Sequence, residues 1–254
     1  VDLDGNSVID TYGVVRIDFN DKEAGATLIG RMSNYRKNPD GKTFSFAFAK
    51  ELRNPTRGTS YSAANTYDPQ ATGYLVPNWL EIINLDSRAQ KFTYRLANQE
   101  GVRVYQKTIT VAPLGEADIQ AGHEITDKNG KVLENVYLAE VIPHDGAAPY
   151  FATISRYSSN APAGVEPESY NFAFALDGRA GNGGSQYVTI SNEVGSCFSQ
   201  TNWVEVANVR EKPVYAGLVF RGPDGEVLHN NSVNYLLSPK SQFHFNASAL
   251  LGKG

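Results

Sequence analysis

Oxygen-bearing side chains alternate along the first ten residues of the chain. Asp2, Asp4, Asn6 and Asp10 lie at or near every second position of this stretch. Carboxylate and amide oxygens spaced in this way can converge on one hard cation, and Ca²⁺ takes about six to eight such oxygen ligands. These four residues are therefore the candidate metal ligands of the chain, with calcium as the expected cation.

The same run resembles the opening of an EF-hand or dockerin-type calcium loop, but its later positions depart from that pattern. Ser7 stands where the motif has glycine, and Gly13 stands where the motif has a bidentate acid. A corresponding stretch in the second half of the chain, residues 127–130, reads Asp-Lys-Asn-Gly and lacks the alternation. A plain Asp-Gly turn without a cation is therefore the alternative interpretation.

The other reactive residue types do not form a catalytic pattern. None of the four histidines stands in a His-x-x-x-His spacing, which would place two metal ligands on one element. The single cysteine, Cys197, lies in a polar stretch, and the chain contains no Gly-x-Ser-x-Gly turn. The glycine-rich run at residues 178–184 precedes a strand-like segment, whereas a phosphate loop precedes a helix. The sequence predicts no catalytic residue, no cofactor other than calcium, and no enzyme activity.

Two blocks of residues recur in the same order along the chain. The block Phe-Ala-Phe-Ala at residues 46–49 returns at 172–175, and Asn-Trp-Leu-Glu-Ile at 78–82 returns as Asn-Trp-Val-Glu-Val at 202–206. A loop that is two residues shorter in the second copy accounts for the change of offset, because loops tolerate such deletions. An internal duplication is a strong indication of repeated structural units. We expect two tandem units, residues 1–121 and 122–254.

Several polar residues recur at matching positions in the two units. They are Arg31 and Arg156, Asn78 and Asn202, Glu81 and Glu205, and Asn84 and Asn208. Asparagines beside strands usually bond local backbone groups at turns, which predicts a structural role for them. The two glutamates are predicted at solvated strand positions. A duplicated binding site remains the alternative, since arginine, asparagine and exposed aromatic residues suit sugar rings.

Apolar and polar residues alternate with a period of two along most of each unit. Phe44, Phe46 and Phe48 alternate with small residues, which is the pattern of a half-buried strand. Glycine- and proline-containing turns separate such runs at the spacing of an all-β sandwich. In the first unit the pattern predicts strands at residues 8–18, 26–35, 43–50, 59–66, 79–84, 91–97, 102–111 and 115–120.

The predicted fold is therefore all-β, with two tandem, internally duplicated antiparallel β-sandwich domains of the Ig-like type. Trp79 and Trp203 are flanked by apolar residues, and we expect both to fill the space between the sheets. One cysteine cannot form an internal disulfide, so each domain depends on its hydrophobic core.

Composition and charge exclude several classes of protein. Hydrophobic residues make up 41% and charged residues 20% of the chain, which is typical of a folded domain. A net charge of −4 gives no basic field for nucleic acid, so no nucleic-acid partner is expected. No apolar run of about 18 residues occurs, so we expect no transmembrane segment.

The stretch Asn-Trp-Val-Glu-Val-x-Asn at residues 202–208, followed by a hairpin, a proline-containing turn and a final strand, resembles a known class of module. It is similar to the tandem Ig-like or fibronectin-like β-sandwich modules of bacterial surface and exported proteins. The resemblance covers both halves of the chain. Such modules act in adhesion, in fibre or envelope assembly, and as accessory domains of glycan-active enzymes, and the resemblance implies no particular site residue.

These observations favour a non-enzymatic, extracellular structural protein of a cell surface, a surface-layer or filament subunit that self-assembles as a homo-oligomer. Open strand edges in tandem sandwiches provide the physical route to such assembly. The alternative is a carbohydrate-binding or adhesive module whose partner is a glycan or a surface protein. Short strands rich in Tyr, Thr, Val and Ser favour an extracellular or cell-surface location, with the periplasm as the alternative.

Overall fold

The computed structural model describes residues 15, 30–37, 42, 44–67, 76–159, 170–181, 184–185, 188–189 and 202–251. Period-two alternation produces fourteen strands within these residues, and the named strands pair antiparallel throughout. In chain order they are β1 (Arg31–Lys37), β2 (Phe44–Glu51), β3 (Ser60–Ala63), β4 (Asn78–Asn84), β5 (Gln90–Ala97), β6 (Arg103–Val111), β7 (Glu116–Gln120), β8 (Leu138–Pro143), β9 (Tyr150–Ser159), β10 (Tyr170–Asp177), β11 (Trp203–Ala207), β12 (Val214–Arg221), β13 (Val227–Leu237) and β14 (Gln242–Asn246), followed by a short helix, α1 (Ala247–Leu250).

The strands β3 to β10 form a sandwich of two four-stranded sheets. One sheet has the order β10-β9-β4-β7 and the other has the order β3-β8-β5-β6. Their inner faces share one hydrophobic core, to which β4 contributes Leu80 and Ile82 and β9 contributes Ile154, all fully buried. We call the described residues between 60 and 177 the central sandwich.

The strand β5 illustrates how the sequence builds this core. Phe92, Tyr94 and Leu96 point inward and are fully buried, whereas Arg95 lies on the outer face and is partly exposed. Burying one such large apolar side chain contributes about 1.5–3 kcal/mol. The strand pairs with β6 on one side and β8 on the other, so its backbone hydrogen bonds are satisfied along both edges.

The chain passes from β7 to β8 through a turn at Gly122, the position next to the predicted unit boundary. Gly122 has φ of 90°, a left-handed conformation that favours glycine. Strands on both sides of this turn pair within the same sheets, since β4 pairs with β9 and β5 pairs with β8. The division into units 1–121 and 122–254 stays a prediction about the sequence.

The strands β11 to β14 lie beside the central sandwich as two ribbons, β11-β14 and β12-β13. We call residues 202–251 the C-terminal region. The hairpin β1-β2 forms a separate two-stranded sheet whose β2 packs near β10. Within the described residues, no helix is both long and apolar enough to cross a membrane.

The all-β, antiparallel prediction is confirmed, and the predicted strands from residue 43 to residue 120 match β2 to β7 within a few residues. The prediction that Trp79 and Trp203 fill the space between sheets is wrong. Their side chains are 38% and 47% exposed. Alternation explains the difference, because Leu80 and Ile82 take the inward positions of β4 and leave Trp79 on the outer face.

Candidate functional site

Asn84 and Asn208 close matching turns, as predicted for structural asparagines. The Nδ2 of Asn84 donates to the backbone oxygens of residues 88, 111 and 112 at 2.8, 3.3 and 2.9 Å. The Nδ2 of Asn208 donates to those of residues 212, 237 and 238 at 2.9, 3.1 and 2.9 Å. Each asparagine amide therefore satisfies three turn carbonyls, and neither residue is available to a ligand.

A buried arginine joins the central sandwich to the C-terminal region. The guanidinium of Arg156 donates to Asn78 Oδ1 at 3.0 Å and to the backbone oxygen of Ala63 at 3.1 Å. It also forms an ion pair with Glu205 Oε1 at 3.1 Å, and its side chain is only 6% exposed. The Phe174 ring lies 5.0 Å from the guanidinium carbon. Sequence reasoning identified Arg156, Asn78 and Glu205 separately, and the fold brings them together.

Glu205 has two further neighbours at this junction. Asn65 Nδ2 donates to Glu205 Oε1 at 3.0 Å, and His244 Nδ1 lies 3.9 Å from the same oxygen. Burial lowers the pKa of His244, and the nearby charge of Arg156 adds to this effect while Glu205 opposes it. Glu205 lies at an exposed position of β11, as predicted, and its side chain, which is 27% exposed, is also ion-paired with Arg156.

A second polar cluster at the same junction centres on Lys240. Its Nζ contacts Glu140 Oε1 at 3.2 Å, Glu211 Oε1 at 3.0 Å and the hydroxyl of Tyr61 at 3.0 Å. Burial opposes the charge of Lys240, but these hydrogen bonds and the charge of Glu140 raise its pKa above the usual value. Lys240 therefore stays cationic and fixes the C-terminal region against β3 and β8.

The outer face of sheet β10-β9-β4-β7 carries an acidic cluster of Glu81, Glu116 and Asp118. Lys50 of β2 forms an ion pair with Glu81 at 2.5 Å, and Ser155 Oγ donates to Glu81 Oε1 at 2.8 Å. The Glu81 side chain is 19% exposed, so the prediction that it occupies a solvated strand position is wrong. Burial, together with the charges of Asp118 and Glu81, raises the pKa of Glu116 to about 7.

The hairpin β1-β2 is seated over this acidic face. Phe48 makes an edge-on contact with Tyr157 at 5.9 Å between ring centroids, and Arg53 pairs with Asp177 at 2.8 Å. Residues 31–51 contain five basic and two acidic side chains, which complements the charge of the face beneath. The seat therefore combines one aromatic contact with charge attraction.

The C-terminal region leaves much apolar surface exposed. Tyr215, near the start of β12, is 74% exposed. Isolated exposed apolar residues are normal, but a dense group of them marks an interaction surface. The exposed apolar residues of this region are Trp203, Tyr215, Val219, Val227, Leu228, Leu236 and Phe243.

The predicted metal ligands, Asp2, Asp4, Asn6 and Asp10, lie outside the described residues. The corresponding stretch at Asp127 is a local turn, because Asp127 Oδ1 accepts hydrogen bonds from the backbone N–H groups of Asn129 and Lys131. These bonds lower the pKa of Asp127. Among the described residues, no group of three or more His, Cys, Asp and Glu side chains is arranged to hold a metal ion.

Comparisons with known proteins add no family assignment. No protein-family model and no curated protein matches the chain. A solved structure from Thermotoga maritima matches with a TM-score of 0.35 and 15% identity, covering 52% of this chain and 100% of that one.

Proposed function

We propose that the chain is a non-enzymatic structural subunit of a cell surface that assembles with its own copies into a surface layer or filament. In this proposal it consists of two duplicated Ig-like β-sandwich units, exported to the extracellular surface. The C-terminal region carries the proposal. Its two ribbons expose large apolar side chains beside a sandwich whose core is closed.

Physical chemistry links this surface to self-association. Exposed strand edges present backbone donors and acceptors to other chains, and exposed apolar residues gain free energy when they leave water. The polar clusters support a structural role as well, because Arg156 and Lys240 use their donors to fix one region of the chain against another. Their charges are engaged in ion pairs within the fold.

Sedimentation velocity over about 1 to 100 µM tests the proposal, because mass action makes assembly concentration-dependent. We expect larger species at higher concentration, and layers or filaments in negative-stain electron microscopy of the same samples. Leu228→Ser in the C-terminal region should weaken assembly. Val104→Ser is the matched control, since it changes an exposed apolar residue at the corresponding position of β6. A monomer at every concentration would exclude the proposed assembly.

A specific observation favours glycan binding as the second candidate function. Trp79 and Trp203 occupy corresponding strand positions, and both are exposed on outer faces. Exposed aromatic faces are suitable platforms for sugar rings, and repetition at two places would raise avidity. A glycan array with the unaltered chain, Trp79→Ala and Trp203→Ala tests this idea. Signals lost in both variants but kept in Tyr67→Ala would support it, and an array without signals would exclude it.

A further inference from the structure

The strands β11 to β14 repeat the local geometry of β4 to β7. Trp79 lies opposite Gln120 in the β4-β7 pair, and Trp203 lies opposite Asn246 in the β11-β14 pair. The turns before the last strand match as well. Leu114 and Lys240, which are not glycines, both adopt left-handed φ, at 53° and 59°. Each position of β11 can therefore be assigned to one position of β4.

The two sets of strands differ in their neighbours. In the central sandwich β4 also pairs with β9, and β5 also pairs with β8. In the described part of the chain, β11 pairs with β14 alone and β12 pairs with β13 alone. The position beside β11 that corresponds to β9 is therefore a candidate docking edge.

Hydrogen-bond alternation identifies the backbone groups along that edge. Ala247 N donates to Asn202 O and Asn208 N donates to Ser241 O, so these even-numbered positions face the β14 side. Alternate residues of an antiparallel strand direct their N–H and C=O groups to opposite sides. Trp203, Glu205 and Ala207 consequently direct their backbone groups toward the other edge of β11.

The sequence itself contains a counterpart of the hairpin β9-β10, which covers the corresponding edge of β4. Residues 46–49 of β2 repeat residues 172–175 of β10, and Arg31 of β1 corresponds to Arg156 of β9. Arg156 lies opposite Asn78 in β4, whose counterpart is Asn202. The hairpin β1-β2 therefore carries the residue types that fit beside β11.

The hairpin of the same chain lies elsewhere. Lys50 and Arg53 tie it to Glu81 and Asp177 on the outer face of the central sandwich. Its register also differs from that of β9-β10. Arg156 lies opposite Phe174, whereas Arg31 lies opposite Glu51. The register of a strand pair is weakly specified where no hydrophobic core fixes it. The β1-β2 hairpin can therefore shift to the register of β9-β10 when it packs beside β11.

We infer that the edge of β11 that has no partner among the described residues accepts the β1-β2 hairpin of a second copy of this chain, so that copies join head to tail. This inference rests on the proposed self-assembly and names its partner and its surface. The hairpin adds a strand to the open edge, as extended segments do in other strand-addition complexes. A head-to-tail contact of this kind is heterologous and propagates into a filament unless it closes into a ring.

Disulfide trapping in the full chain tests the contact. Ser155 lies opposite Trp79 in the β4-β9 pair, and the counterparts of these residues are Gly30 and Trp203. Antiparallel partners are close enough for a disulfide. At residue 30 an added Cβ would meet the end of the Leu52 side chain, which can move. All variants carry Cys197→Ser, and one chain carries Gly30→Cys while the other carries Trp203→Cys.

After mild oxidation of an equimolar mixture, we expect a covalent heterodimer on a non-reducing gel. A single chain with both new cysteines should give a ladder of oligomers. Gly30→Cys mixed with Asp224→Cys is the control, because Asp224 lies in an exposed turn, and this mixture should remain uncross-linked. A fast-migrating monomer with an internal disulfide would overturn the second-copy partner. Cross-linking no greater than that of the control would overturn the docking edge.

A charge reversal provides an independent readout. Arg31→Glu should weaken self-association about tenfold or more, since the counterpart Arg156 makes several charge-assisted hydrogen bonds. Arg103→Glu changes the net charge equally on exposed β6 and should leave association unchanged. If the unaltered chain assembles but the disulfide between residues 30 and 203 does not form, this contact is refuted and the proposed function stands. If the unaltered chain does not assemble at all, both this contact and the proposed self-assembly are refuted.

Discussion

The strands β4 to β7 and β11 to β14 share their turn geometry but differ in how well they are buried. In the central sandwich the inward residues of β5 are fully buried. In the C-terminal region the inward positions of β12 are only partly buried, apart from Phe220. The strands β9 and β8 flank β4 and β5 in the first set, and no described strand flanks β11 or β12 in the same way. We call each of these two sets of four strands a frame, β4 to β7 being the central frame and β11 to β14 the C-terminal frame. A closed hydrophobic core requires further strands that flank the frame.

The largest expected effect comes from truncating one leucine side chain to alanine in each of the two frames. Leu96→Ala in the closed core should cost about 3 kcal/mol of unfolding free energy, because the cavity is fully enclosed. Leu218→Ala in β12 should cost about 1 kcal/mol, because Leu218 is only half-buried. Urea unfolding followed by circular dichroism measures both values. Equal losses would mean that the C-terminal core is as closed as the central one.

A matched pair of glycines tests the contact between the two regions. Gly101 and Gly225 occupy corresponding hairpin turns with φ of 85° and 83°. A Cβ at residue 101 would collide with the backbone oxygen of Pro239, whereas a Cβ at residue 225 meets open space. We expect Gly225→Ala to cost about 1 kcal/mol from backbone strain and Gly101→Ala to cost about 2–3 kcal/mol. Thermal melts can check this order, and a reversal would contradict the observed docking of the C-terminal region.

Arg156 provides a smaller test of the same junction. Arg156→Ala should cost about 2 kcal/mol, since it leaves Asn78 and Glu205 without their buried partner. Arg95→Ala removes a more exposed arginine that pairs with Glu140 and should cost less than about 1 kcal/mol. Urea unfolding can compare the two variants. Similar losses would indicate that the Arg156 cluster does not couple the regions.

The smallest expected effect is a pH dependence at the acidic face. Because the folded pKa of Glu116 is about 7 and lies above its ordinary value, its stabilising contribution is present at low pH and is lost as the pH rises toward 7. Glu116→Gln should therefore raise the Tm by about 2 °C at pH 8 and leave it nearly unchanged at pH 4. Glu100→Gln, in an exposed turn, serves as the control. A larger gain at pH 4 would give the opposite sign and refute the assignment.

Local patterns in the sequence were sufficient for the strands and for some side-chain roles. The alternation of Phe92, Tyr94 and Leu96 predicts both the strand β5 and its inward row. The repeated asparagines predict turn-closing hydrogen bonds, which Asn84 and Asn208 make. The same alternation could have placed Trp79 outside, because it has the opposite parity to the apolar residues beside it.

The candidate sites could not be read in the same way. Asn78, Arg156 and Glu205 meet only because β9 pairs with β4 in one register and the C-terminal region packs against that sheet. Lys50 reaches Glu81 only because the β1-β2 hairpin lies over the outer face. Such contacts join residues far apart in the chain, and a strand's local pattern does not name its partner.

The sequence by itself determined the period-two alternation, the turn residues and the two matching sets of residues. These features depend on neighbours a few positions apart, so they are visible in one dimension. Only the tertiary structure decided which set of strands is flanked by further strands and which charges are buried. It also decided which edge of β11 lacks a partner within the described residues. The physical reason is that strand pairing and burial depend on the competition between distant segments for the same edges and faces.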